Sequence, residues 1–341
     1  MTEAPIHHPA SPVAPSAGDK GESSLTVLLA LAANAGVGIL KLIAGLVSGS
    51  SALLSEAAHS VGDCITEIML LVAQKRSARP ADRSHPFGYG KERYFWSLIA
   101  AVGIFVAGAM FSFYQGYETI VGPEEDASKL WINYPVLALA AILEGTSLRQ
   151  AAKQMKKETK RLRLSLADYV RTPRDPTVNS VLLEDSAAIL GLAVAALGVA
   201  LHQVTGNKVF DGVASIVIGL LLLTVTLTLA RACETLLVGK QADRRFVRAT
   251  EAWLEEQPEV VDVVDLLTMM TGVDSILLCA RVDFVDTTTG GELEETCVRL
   301  DREMREKWPF LDEIFIQPAP RGDELLRQRV TERYGRALAE E

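Results

Sequence analysis

Six stretches of this chain stay apolar for close to the length a bilayer demands, at residues 25–47, 51–73, 95–117, 132–148, 179–201 and 210–230. No other feature limits the fold as much. A hydrocarbon layer ~30 Å thick takes ~20 apolar residues per helix. Lipid gives no hydrogen bonds to an exposed backbone, so each run must close its own bonds as a helix. The expectation is an all-α six-helix transmembrane bundle occupying residues 25–234.

Basic residues orient the bundle. Lys75, Arg76, Arg79, Arg83, Lys91 and Arg93 lie between the second and third runs, and Arg149, Lys153, Lys156, Lys157, Lys160, Arg161 and Arg163 lie between the fourth and fifth. The positive-inside rule places both loops in the cytoplasm, and the acidic loop at 122–129 then lies on the other side. Both termini are expected inside. Residues 1–24 are rich in Pro, Ala, Ser and Gly and read as a disordered cytoplasmic tail, in which the adjacent His7 and His8 make no strong metal site. No signal-peptide cleavage pattern precedes the first run. The basic segment 149–174 reads as a helix lying on the membrane surface.

The chain is 49% hydrophobic and yet 23% charged, so the charge must be segregated. It gathers after residue 239. There the periodicity predicts a helix at 244–256 with Phe246, Val247, Trp253 and Leu254 facing inward, strands at 260–268 and 273–284, a helix at 292–307 and a strand at 313–317. Leu293, Cys297, Leu300, Met304 and Trp308 form one stripe on the second helix. An αββαβ order predicts a small α+β domain of the ferredoxin-like kind at 235–320, in the cytoplasm, followed by a charged tail at 321–341. Its uncovered sheet face would suit a second copy of the chain. The domain has no histidine, and Cys279 and Cys297 fall on apolar faces, so no metal cluster is expected in it. The net charge of −9 gives a nucleic-acid partner no electrostatic support. Cys64, Cys233, Cys279 and Cys297 form no CxxC pair and imply no disulfide framework.

Function is concentrated in the second apolar run. His59 and Asp63 are four residues apart, hence on one helical face, and ionisable groups at membrane depth point to a site by default. A histidine with carboxylates suits a divalent metal. Imidazole ligates only when neutral and carboxylates only as anions, so protons and metal compete for the same atoms. Glu56 and Glu67 extend the same face as candidate pathway residues, and Glu67 has Arg76 as an alternative partner. Asn34 and Lys41, seven apart on the first run, either serve the acids of neighbouring helices or, for Lys41, snorkel to the interface. Asp211 opens the sixth run, where it is expected to cap its own helix first and to line an exit path second.

His59-x-x-x-Asp63, the loop Asp82-Arg83-Ser84-His85-Pro86-Phe87-Gly88-Tyr89-Gly90, the Glu184-Asp185 pair and the layout of six spans plus αββαβ together resemble the cation diffusion facilitator family. Residues 175–188 are similar to the zinc-transporter branch that includes the mitochondrial zinc transporter of animals. The resemblance implies a homodimer, joined through the C-terminal domain and the transmembrane region, that exports cytoplasmic Zn2+ in exchange for H+ by alternating access, with no enzymatic step. It carries Asp185 over as a third ligand beside His59 and Asp63. The family's fourth position falls at Val181, which has no donor atom, so either Glu184 or a water completes the set, with Glu184 preferred. Asp82 and His85 match two ligands of a second, surface site whose third ligand falls at Tyr89, and that site is expected to be weak or absent.

The carboxylate-rich set leaves Mn2+, Fe2+ and Co2+ open as alternative cargo. A non-transporting membrane scaffold or sensor is the rival of another class. A metallohydrolase lacks its HExxH motif. The expected location is a bacterial cytoplasmic (inner) membrane.

Overall fold

The computed structural model describes residues 19–123, 127–162 and 176–334. The chain divides into two compact units. One is made of residues 15–79 and 91–237, and the other contains 80–90 and 238–341.

The larger unit is helical. Its elements are α1 (Asp19–Ser48), α2 (Ser51–Ser77), α3 (Glu92–Gly103), a π-helical segment (Ile104–Met110), α4 (Phe111–Val121), a 3-10 turn (Ala127–Ile132), α5 (Asn133–Leu162), α6 (Pro176–Thr205) and α7 (Val209–Val238). Among the described residues, three helices are both long and apolar enough to cross a membrane: Glu92–Val121, Leu182–Thr205 and Val209–Val238. α1 contributes a shorter apolar stretch, Asn34–Ser48. α2 and α5 are of comparable length but carry charge.

That charge determines where α2 sits. Its ionisable residues cannot face lipid, and α1, α3, the π segment, α4 and α6 all pack against it. Gly49 makes the tight link from α1 to α2 at φ 74°, a left-handed conformation that glycine adopts without a Cβ clash. The core of the unit is built from small and branched residues such as Val37, Ala52, Leu53, Ile104, Ala140, Leu192, Ala195, Ile218 and Leu222. The outward faces keep large apolar side chains, including Ile39, Leu46, Val106, Ile142 and Leu220.

Several boundaries differ from expectation. α1 begins at Asp19 rather than 25, so part of the predicted tail is helical. His7 and His8 lie outside the described residues. The third run is interrupted by the π segment, an i→i+5 irregularity that hydropathy does not encode. α5 continues unbroken to Leu162, so the first half of the basic segment extends the fourth helix instead of forming a separate surface helix. Residues 163–175 lie outside the described set.

In the second unit, α8 (Arg244–Glu255), β1 (Val260–Met270), β2 (Ile276–Phe284), α9 (Gly290–Lys307) and β3 (Leu311–Pro318) follow the predicted order. β1 pairs antiparallel with β2, bringing Leu266 opposite Ala280. β2 pairs parallel with β3, bringing Ala280 opposite Ile316. The second strand starts late because Thr271 N–H donates to the Ser275 carbonyl at 3.0 Å and closes a turn.

α9 starts at Thr289 with a reciprocal capping box: the Thr289 hydroxyl accepts from Glu292 N–H while the Glu292 carboxylate accepts from Thr289 N–H, two otherwise orphaned donors satisfied at once. Leu254, Leu278, Val282, Leu300, Met304 and Trp308 form the core on one sheet face, with Phe246, Leu293 and Cys297 packed against it. Within the expected charged tail at 321–341, Glu324–Tyr334 form a further helix, α10. It is held to the sheet by Arg333, which donates to Asp265 at 2.9 Å beside Arg281 at 2.8 Å.

Candidate metal centre in the membrane unit

His59 is 2% and Asp63 9% exposed, and one turn of α2 brings His59 Nε2 to 3.7 Å from Asp63 Oδ2. Neither imidazole nitrogen has a hydrogen-bond partner, nor does Asp63 Oδ1. Buried polar groups are nearly always paired, so three unpaired atoms on adjacent turns make this pair a candidate site.

α6 presents the remaining candidates. Asp185 Oδ2 accepts from Ser147 Oγ of α5 at 2.9 Å. Glu184 is buried, its Oε1 is without a partner, and it shares a small cavity with Thr66, Ser97 and Cys233. Successive helical residues point ~100° apart, so the two acids face different neighbours. Among the described residues, no three His, Cys, Asp or Glu side chains stand close enough to hold one ion. The side chain of Val181 lies outside the described residues.

The flanking residues take other roles. Lys41 does not snorkel: it is fully buried, and its ammonium donates to Glu56 Oε2 and Ser60 Oγ, each at 3.1 Å. Glu56 is therefore an ion-pair partner rather than the lining of an open vestibule. Glu67 Oε1 accepts from Asn34 Nδ2 at 2.9 Å, whereas Arg76 approaches Glu92 at 3.9 Å. The first helix thus serves the acids of the second.

Asp211 caps α2 rather than its own helix. Its carboxylate accepts from Ser50 Oγ, Ser51 Oγ, Ser51 N–H and Ala52 N–H.

The model of the cation efflux transmembrane domain matches residues 27–238. The chain belongs to the cation efflux family. It is an integral, multi-pass membrane protein, in keeping with its long apolar helices. The mitochondrial proton-coupled zinc antiporter of Xenopus laevis is 35% identical over 258 residues, covering 76% of this chain and 46% of that protein. The human protein of the same name is 33% identical over 258 residues, with 76% and 45% covered. A metal tolerance protein of Arabidopsis thaliana is 31% identical over 297 residues, covering 84% of this chain and 61% of its own length. The chain spans about half the length of the two antiporters it matches. Their mitochondrial names give the expectation of a bacterial inner membrane no support.

In this cation efflux protein the loop 80–90 holds Asp82 and His85 together, but not as free ligands. Tyr89 Oη donates to Asp82 Oδ2 at 2.7 Å, and the backbone N–H groups of Ser84 and His85 both donate to Oδ1 at 2.8 Å. The Tyr89 bond and then the His85 N–H hold the Asp82 carboxyl below the usual carboxylate range. His85 Nδ1 is 3.7 Å from Asp82 Oδ1, and its ring stacks on Tyr89 at 4.2 Å.

Glu144 and Ser147 on α5 were missed from the sequence. Glu144 is buried with its Oε1 3.9 Å from Lys41 Nζ. A signal existed in Glu144 itself, a carboxylate inside the run 132–148. Ser147 had none, because a serine in an apolar helix commonly bonds its own backbone.

Proposed function

We propose that the protein is a proton-coupled divalent cation antiporter that carries Zn2+ out of the cytoplasm, with Mn2+, Fe2+ and Co2+ as the competing cargo. The observation that carries this reading is the buried His59–Asp63 pair with unpaired atoms on both side chains. His59, Asp63 and Asp185 form the transport site, and Glu184 adds negative charge at its edge. Asp185 joins the other two by exchanging its Ser147 bond for the metal, a reading supported by the packing of α2 against α6.

Coupling follows from competition. On the near-neutral cytoplasmic side the imidazole is neutral and accepts the metal. On the opposite side protons displace it from His59 and the carboxylates, and the protonated carrier returns. The names of the animal antiporters, which include both zinc and proton coupling, support this assignment.

The apolar runs and the two basic loops support six spans with both termini inside, over residues 25–234. The strand order supports a ferredoxin-like cytoplasmic domain at 235–320, through which, together with the transmembrane region, two copies associate as a homodimer. Reconstituted into liposomes with an imposed pH gradient, the protein is expected to take up Zn2+, to stop when the gradient is collapsed, and to lose uptake in Asp185→Ala. Gradient-independent flux, or normal flux in that variant, would overturn the reading.

A further inference from the structure

Lys41 is buried away from the membrane surface, and it bonds Ser60, the residue next to His59. Its side chain is 0% exposed, between Glu56 at 1% and Glu144 at 9%. The ammonium has three donors. Two of them meet oxygens of α2, Glu56 Oε2 and Ser60 Oγ, each at 3.1 Å, and Glu144 Oε1 of α5 lies 3.9 Å from the ammonium as an ion-pair partner. On a fourth side, a Cβ placed at Gly191 of α6 would run into Glu56 Oε1. Glu56 is thus fixed between the ammonium and a stretch of bare backbone.

Two carboxylates and a hydroxyl around a positive centre are the donor set an oxygen-bound divalent ion would use. We propose that Lys41 is a tethered cation standing where a second metal ion would otherwise bind, so that the column of acids along α2 loads metal at one level only. The level that Lys41 occupies, at Glu56, lies three residues along α2 from His59 and seven from Asp63, or roughly 5 and 10 Å at 1.5 Å per residue.

The balance of charge supports this arrangement. Two buried carboxylates without a counter-ion are strongly disfavoured in a medium of low dielectric, and a covalently attached ammonium meets that need without an exchangeable ion. A lysine suits the role better than an arginine, whose planar fork would demand a bidentate partner. This inference rests on the transport reading for its purpose but not for its test. The test counts ions bound at equilibrium, whereas the transport reading stands or falls on flux in Asp185→Ala.

The full chain in lipid nanodiscs, dialysed against Zn2+, is counted for metal per polypeptide. Lys41→Met is expected to bind one ion more than the wild type, Lys41→Met with Glu144→Gln to return to the wild-type count, and Lys41→Arg to keep it. Folded Lys41→Met with an unchanged count would overturn the proposal. If Lys41→Met does not yield folded protein, Glu56→Gln decides. An unchanged count supports the tethered cation, since Glu144 keeps the ammonium in place, and a loss of one ion shows that Glu56 itself holds metal and overturns it.

Discussion

Two buried aspartates, one at the start of α2 and one three turns along it, are treated in opposite ways. Asp211 is 1% exposed and accepts from two serine hydroxyls and two backbone N–H groups at the start of α2. Asp63, three turns further along, is 9% exposed, stands 3.7 Å from His59, and leaves one oxygen without a partner. The first carboxylate is saturated by donors that also need it, since the opening N–H groups of a helix have no partner inside it. It fixes where α2 begins. The second is left short of donors in the same apolar surroundings, which costs stability and is offset under the proposed function by a bound cation or proton. Burial alone therefore does not tell the two aspartates apart; the donors each one meets do.

The comparison breaks if the two sites respond alike. The largest effect is expected from Asp63→Ala, which should reduce Zn2+ flux in liposomes to background. Its unfolding midpoint should stay at or slightly above wild type, because a poorly satisfied carboxylate at a working site is held against stability. Asp211→Ala should do the reverse and lower stability by about 3 kcal/mol, from the lost cap and the serine hydroxyls left unpaired. Thermal unfolding in detergent reads both. A destabilised Asp63→Ala beside an unaffected Asp211→Ala would invert the assignment of roles.

How much of this was legible in the sequence varies with the physical cause. The order of elements after residue 243 follows period-two and period-3.6 patterns, and it was readable because an alternation such as Leu278, Ala280, Val282 can bury only one face. His59 and Asp63 were readable because charge inside an apolar run is conspicuous. The partners were not. Lys41 seven residues after Asn34 suggested service to other helices, but which acid each would meet depends on how α1 packs against α2. Asp211 was misassigned because helix-dipole reasoning is local, while its donors are some 160 residues away in sequence. The continuation of α5 to Leu162 was hidden by composition. Its charged end looked like a surface segment, whereas lysine and glutamate are good helix formers and extend a helix already nucleated in the apolar run.

A smaller effect is expected in the loop 80–90, which belongs to the same unit as the sheet. Gly90 has no room for a Cβ: the Thr271 carbonyl and Gly272 Cα occupy its place. Gly90→Val should destabilise that unit by about 1–3 kcal/mol, the usual cost of overpacking, and make the loop more susceptible to protease. An unchanged midpoint and cleavage rate would show that the loop is not seated on the β1–β2 turn.

The smallest effect sharpens the contrast with a third aspartate, one that is exposed. Asp82 is saturated like Asp211, by the Tyr89 hydroxyl and two backbone N–H groups, but water competes for every one of these bonds. Tyr89→Phe removes the first of them, and the Asp82 carboxyl should rise toward its ordinary range in a carboxyl-selective NMR titration. The sign follows from the depressed value in the folded protein. Such a bond contributes above the ordinary carboxylate pKa and is lost as pH falls through the folded one, so wild type and Tyr89→Phe should differ at neutral pH and converge in acid. If the titration is the same in both proteins, the Tyr89 hydroxyl does not hold Asp82, and the loop's second metal site regains the free carboxylate it would need.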